Sequence, residues 1–298
     1  MLISTQTSSF SYHFGDHNAI KMLADIGYDA LDYSMFFSCE DDHPINRDDY
    51  RDYAKSLRKT ADDKNIIFNQ SHAPMPSYYT KEPEKTKYNE RIFSMLIRTL
   101  EVSSIIGSKI MVVHPIILKG GSYDAQKELN MKFYNNLLPF CKEFNVKIAL
   151  ENIGGWDEEA EHFTPATCST PSEFIDYLDT LDSDWFTACL DIAHAELKWL
   201  CDESASEFIR LLGHKRLKAL HIHENDKLAD MHTIPFSYNT DWNEIAAALK
   251  SIDYDGDLTF EADYFLETFP EELIVSASTF MLDIGKHLVK MITEQTVK

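Results

Sequence analysis

LKALHIH (217–223) divides into two unlike faces: Lys218, Leu220 and Ile222 on one, Leu217, Ala219, His221 and His223 on the other. Side chains alternate along a strand, and a strand inside a closed barrel turns one set toward surrounding helices and the other into the pore. DLTFEA (257–262) repeats the pattern, with Leu258 and Phe260 opposed to Thr259 and Glu261. In FTACLD (186–191), Thr187, Cys189 and Asp191 share a face. In all three segments the bulky apolar set is expected outside and the smaller or polar set inside.

Short apolar runs of this kind alternate with longer segments of helical period along the chain, which is the signature of a parallel sheet built from βαβ units. Strands are predicted near 2–8, 30–35, 66–72, 109–114, 147–152, 186–191, 217–223 and 257–262. Helices are predicted near 16–26, 47–63, 84–106, 122–144, 171–180, 204–212, 241–250 and 270–293. Eight equivalent units leave no switch point for a doubly wound sheet, so the expectation is an α/β fold, a (β/α)8 TIM barrel, with residues 1–298 as one domain. The polar insertion GGWDEEAEHFTPATCSTP (154–171) is predicted to be a loop over the mouth, its acidic run DEEAE solvated.

Ionisable side chains stand at the ends of consecutive segments: His72 in IIFNQSHAP, His114 in IMVVHP, Glu151 in IALEN, Asp191 and His194 in ACLDIAH, His221 and His223 in LHIHENDK, Asp230 and His232 in ADMH, Glu261 in LTFEA. The C-terminal strand ends of a (β/α)8 barrel build its active site, so these residues should converge. Carboxylates at such depth are costly to keep charged, and a bound cation compensates. Mixed imidazole and carboxylate ligands suit Mn2+, Zn2+, Fe2+ or Co2+ better than Ca2+. Each residue alone has a plainer reading. His114 fits a hydrogen-bonded structural imidazole, His223 a support for a ligand, Glu151 and Asp191 the caps of following turns. What favours a site is the coincidence of so many strand ends. Trp156, Tyr33 and Phe36 could wall a sugar site and fit ordinary packing equally well.

The net charge is −21, from 28 basic and 49 acidic residues. Such a field disfavours a phosphate backbone or an anionic membrane, so neither nucleic acid nor membrane is an expected partner. Cys39, Cys141, Cys168, Cys189 and Cys201 include no C-x-x-C pair, which fits a reducing, cytoplasmic setting. The start MLISTQTSSF lacks the basic and apolar regions of a signal peptide.

ALENIGGW (149–156), CLDIAHAEL (189–197) and HIHENDKLADMHTIPFSYNTDW (221–242) resemble the xylose-isomerase-like barrel superfamily, which includes sugar phosphate isomerases and epimerases, ketose 3-epimerases and endonuclease IV. The resemblance covers nearly the whole chain. It implies a divalent metal on Glu151, Asp191, His221 and Glu261, with His221 favoured over His223 by the H-x-x-[DE] spacing to Glu224. It implies Glu151 and Glu261 as the catalytic acid/base pair, moving a proton next to a carbonyl through a metal-bound enediolate. His194 and Lys227 would contact a sugar or polyol substrate, with His72, Trp156 and Glu224 beside them. Lysine at 227 departs from the arginine of ketose 3-epimerases and offers a point charge without a planar fork. FSY (236–238) departs from the usual Gly-x-Gly turn. His72, His114, His194, Asp230 and His232 match the additional ligands of endonuclease IV, so further metals or supporting roles stay open, as for His223. The same opening proton step also serves dehydratases and lyases of the superfamily, and a homo-oligomer stays open.

Overall fold

The computed structural model describes residues 1–36, 42–80 and 82–294; Cys39 lies outside them. Ten strands run β1 Ile3–Gln6, β2 Ala30–Ser34, β3 Ile67–His72, β4 Ile110–Val112, β5 Lys147–Glu151, β6 Ile153–Asp157, β7 His162–Thr167, β8 Phe186–Asp191, β9 Leu217–His221 and β10 Leu258–Phe260. The helices are α1 Ser8–Phe14, α2 Asp16–Ile26, α3 Tyr50–Lys64, α4 Thr86–Ile106, α5 Tyr123–Phe144, α6 Pro171–Leu181, α7 Ile192–Glu196, α8 Ala205–Arg216, α9 Trp242–Ser251, α10 Asp263–Glu267 and α11 Glu271–Glu294. Eight strands form one parallel sheet in the order β10-β1-β2-β3-β4-β5-β8-β9. A bridge between Ile222 and Phe260 joins its edges, with Ile222 N donating to Thr259 O at 2.8 Å. The fold is the expected TIM barrel.

The two-faced reading of the strands holds with one exception. Val112, Ala149, Cys189 and Ala219 form a separate small cluster, whereas Leu190, Leu220, Ile222, Leu258 and Phe260 belong to the large helix-facing core. Leu220, Ile222 and Leu258 meet Ile245 and Leu249 of α9 and Leu288 and Ile292 of α11. Leu217, expected inside, joins the large core, because a register shift lies between Ala188 and Cys189 opposite it. Helix ends follow local chemistry. The Asp241 carboxylate accepts from the backbone N–H groups of Asn243 and Glu244, Ser204 and Glu207 form a capping box, and Asn65 and Asn145 end α3 and α5 at positive φ.

Three expectations are corrected. Residues 154–171 are not a loop throughout: β6 and β7 pair as an antiparallel hairpin. The first strand ends at Gln6, and Ser8 already opens α1. The predicted helix at 204–212 continues to Arg216 through an interruption at Gly213, whose φ is 68°. Among the described residues, no helix is long and apolar enough to cross a membrane.

Candidate metal centre

Glu151 closes β5, Asp191 closes β8, His221 closes β9, and Glu261 directly follows β10. Asp191 and His221 are register partners, so the alternation that sends Cys189 and Ala219 inward sends these two into the pore mouth. One ligand atom from each of the four residues lies within 4.8 Å of the others, and all four residues are buried. His221 Nδ1 is the hub, 3.0 Å from Glu151 Oε1 and 2.7 Å from Glu261 Oε2. Gln6 donates through Nε2 to Glu261 Oε1 at 2.7 Å. Asn152 holds the end of β8, accepting from Asp191 N at 2.8 Å and donating to Asp191 O at 3.0 Å.

Two further groups flank this centre. His72 and His114 lean on Glu151 Oε2 at 3.5 and 3.0 Å, with their Nε2 atoms 3.2 Å apart. On the other side His194 Nε2 and His232 Nε2 lie 3.2 and 3.1 Å from Asp230 Oδ2. His223 Nε2 lies 2.7 Å from Asp191 Oδ2, and its ring stacks on His232 with centroids 4.2 Å apart. His194, His223, Asp230 and His232 therefore form a second candidate group, and His72, His114 and Glu151 a third.

Among the described residues, charge in this basin is balanced by imidazoles, and no lysine or arginine pairs with Glu151, Asp191, Asp230 or Glu261. Burial pushes the Glu151 carboxyl up, but His221 and His114 outweigh it and hold it well below the ordinary range. Burial acts likewise on Glu261, outweighed chiefly by His221. Burial lowers His221 and His194, yet neighbouring groups raise both well above a free imidazole: Cys189, Glu261 and Glu151 for the first, Asp191 and Asp230 for the second. His232 rises to about 10, because Asp230 overcomes the burial.

The donor set fits a divalent cation. Glu151 Oε2 and Glu261 Oε2, although beside imidazoles, complete no hydrogen bond; nor do the buried His223 Nδ1 and Asp230 Oδ1. Leaving such atoms buried and unsatisfied is costly, and a divalent cation is a group that would use them. Nitrogen and oxygen donors together suit Zn2+ or Mn2+.

The other expected site residues have different surroundings. Glu224 is fully buried and tied to its own loop, accepting from Ser237 N, Thr240 N and Trp242 Nε1 at 3.0, 2.8 and 3.3 Å. Lys227 Nζ pairs with Glu196 Oε2 at 2.7 Å. Trp156 is 49% exposed on the β6–β7 hairpin, edge-on to Phe163. Tyr33 is buried on the helix side, its hydroxyl on Asp16, whereas the Phe36 ring lies 4.7 Å from that of His72. Phe236 takes φ of 72°, so the FSY turn keeps the left-handed geometry without glycine. Sequence reasoning missed Gln6, Asp32 and Asn152, which lie against the candidate ligands Glu261, His221 and Asp191, and Tyr264, whose half-exposed ring lies 5.1 Å from that of His232. A polar residue inside an apolar strand run was the available signal for Asp32.

Comparison with known proteins agrees with this architecture. Residues 20–283 match the family described as xylose isomerase-like TIM barrel. An uncharacterized protein of Methanocaldococcus jannaschii is 21% identical over 82% of this chain and 78% of its own length. A D-psicose 3-epimerase of Enterocloster bolteae is 23% identical over 79% and 73%. A "Probable endonuclease 4" of Mesomycoplasma hyopneumoniae is 23% identical over 61% of each chain. Among solved structures, a D-tagatose 3-epimerase-like protein superposes with a TM-score of 0.74 at 19% identity, covering 99% of both chains.

Proposed function

The chain belongs to the xylose isomerase-like TIM barrel family, and from that premise we propose that it is a divalent-metal-dependent isomerase or epimerase of a sugar or related polyol. The observation that carries the reading is the approach of two glutamates, Glu151 and Glu261, to one nitrogen of His221 from strands separated by β8 and β9. Glu151, Asp191, His221 and Glu261 would hold the cation. When bound, it supplies Lewis acidity that makes a C–H next to a carbonyl more acidic. One glutamate accepts that proton at a carboxylate oxygen, and the other returns a proton to the opposite face for epimerisation. Isomerisation needs one face only. The imidazole neighbours favour the ionised form of both carboxyls, which is the form the accepting glutamate needs; the returning glutamate would first take up a proton from solvent. His194 presents its ring beside Asp191 and Asp230 at the mouth, where it can hold a substrate hydroxyl. Phe36 over His72 and Tyr264 over His232 provide apolar walls on two sides. Lys227, engaged with Glu196, would reach substrate only by giving up that pair.

A second reading has a specific observation in its favour. The two flanking groups, His72–His114–Glu151 and His194–Asp230–His232, give the basin donors for more than one cation, and a multi-metal phosphodiesterase needs such an arrangement. The net charge of −21 opposes it.

The test is incubation of Mn2+- or Zn2+-loaded protein with a panel of ketoses and keto-polyols in D2O. One deuterium incorporated into an otherwise isobaric product supports the proposal. Loss of one water identifies a dehydratase. Nicking of an abasic-site duplex, with no exchange into any sugar, overturns the proposal in favour of the hydrolase.

A further inference from the structure

Beside the four candidate ligands lies a set of buried polar side chains that belongs to no candidate metal group. Gln6, Asp32 and Gln70 occupy adjacent strands β1, β2 and β3 and are register partners in sequence, Gln6 with Asp32 and Asp32 with Gln70. The second pairing exists because the β2–β3 register shifts between Leu31 and Asp32, which brings Gln70 rather than Asn69 opposite Asp32. All three side chains are sealed from solvent, at 1%, 0% and 3% exposure. Gln70 Nε2 donates to Asp32 Oδ2 at 2.8 Å. The same oxygen lies 3.6 Å from His221 Nε2, the ring nitrogen that faces away from Glu151 and Glu261.

Asp32 is an unusual residue to bury there. Among the described residues, it has no lysine or arginine partner, and His221 is its ionic neighbour. At 3.6 Å the contact is ionic and falls short of a tight hydrogen bond. However, His221 Nε2 is buried without a hydrogen-bond partner, and Asp32 Oδ2, held by Gln70, is the carboxylate oxygen that faces it. A metal-ligating histidine uses its second nitrogen in this way, donating the N–H to a carboxylate that fixes ring orientation and raises ligand basicity.

We infer that Asp32, oriented by Gln70, is a positioning residue for His221: it keeps the Nε2–H turned toward β2, so that Nδ1 presents its lone pair between Glu151 and Glu261. The inference rests on His221 being a metal ligand, as proposed above, but concerns a residue outside the ligand set. Asp32 touches neither substrate nor cation. Its effect is on how tightly His221 holds the metal.

The test compares Zn2+ affinity of the full-length parent, Asp32→Asn and Asp32→Ala by competition with a chromophoric chelator. In parallel, the thermal melting of each metal-free protein is followed, together with the downfield imidazole N–H proton signal of each Zn2+-loaded protein. The expected result is Zn2+ binding about 10–100-fold weaker in Asp32→Asn, with metal-free melting close to that of the parent. The His221 Nε2–H signal should be visible in the parent and shifted or lost in the variant. If Asp32→Ala does not fold, the near-isosteric Asn variant carries the test. Unchanged affinity and an unchanged signal in Asp32→Asn overturn the inference and leave the metal reading standing. Failure of the parent itself to bind Zn2+ overturns both.

Discussion

The Nδ1 atom of His221 sits 2.7 Å from Oε2 of Glu261, the residue that directly follows β10. These residues lie at the C-terminal ends of β9 and β10, which meet at the closure of the barrel through the Ile222–Phe260 bridge. The seam that completes the fold therefore also completes the candidate site, and its geometry depends on the packing of α11 behind β10 and β1.

That dependence is open to test at Gly285 of α11. A Cβ there would lie 2.7 Å from Ile3 Cγ2 and 2.9 Å from Phe260 Cε2. Gly285→Ala should destabilise the protein by about 1–3 kcal/mol through overpacking, despite the better helix propensity of alanine. Urea unfolding measures it; a stabilised variant would show that the seam yields easily.

Glu151→Gln and Glu261→Gln address the chemistry. Each should reduce exchange of substrate hydrogen with solvent by on the order of 10²–10⁴-fold under conditions where the variant is metal-loaded. Near-parent deuterium exchange by either loaded variant would remove that glutamate from the proton step.

Glu224 is predicted to act on stability. Its carboxylate accepts from three N–H groups of the 237–242 segment, and truncation leaves them unsatisfied. Glu224→Ala should cost about 3 kcal/mol in urea unfolding. A loss of substrate affinity with unchanged stability would instead return this residue to the substrate contacts expected from the sequence.

Asp16 supplies a pH-dependent contribution remote from the metal ligands. Burial pushes its carboxyl up, but the neighbouring His43 imidazole and the Tyr33 hydroxyl outweigh it and bring the pKa to about 2, against 3.8 for the free side chain. A depressed folded-state pKa gives stability that is present above pH 3.8 and lost as pH falls toward 2. The full contribution is about 2 kcal/mol, roughly half of it gone by pH 3. Asp16→Asn should therefore be less stable than the parent at pH 7 and approach it as the solution is acidified. A gap that is constant with pH would assign the effect to packing.

The strands were legible from period-two alternation, which put Ala219, His221 and His223 on one face, whereas the set Glu151, Asp191, His221 and Glu261 came from the family resemblance. The hairpin was not legible. Its strands carry Gly154, Gly155 and Pro165 around an acidic turn, and pairing across two strands, rather than local propensity, holds them. Asp32 was hidden between Leu31 and Tyr33, since its role depends on a register shift opposite β3 and on His221 far along the chain. Glu224 was expected beside the substrate from the family resemblance, but its loop folds back and occupies the carboxylate.

The most direct measurement is an anomalous difference map from crystals grown with Zn2+ or Mn2+. The account predicts a peak about 2.0–2.3 Å from carboxylate oxygens of Glu151, Asp191 and Glu261 and from Nδ1 of His221. A map with no peak at these four residues, whether metal-free or occupied only at His194, Asp230 and His232, would contradict it.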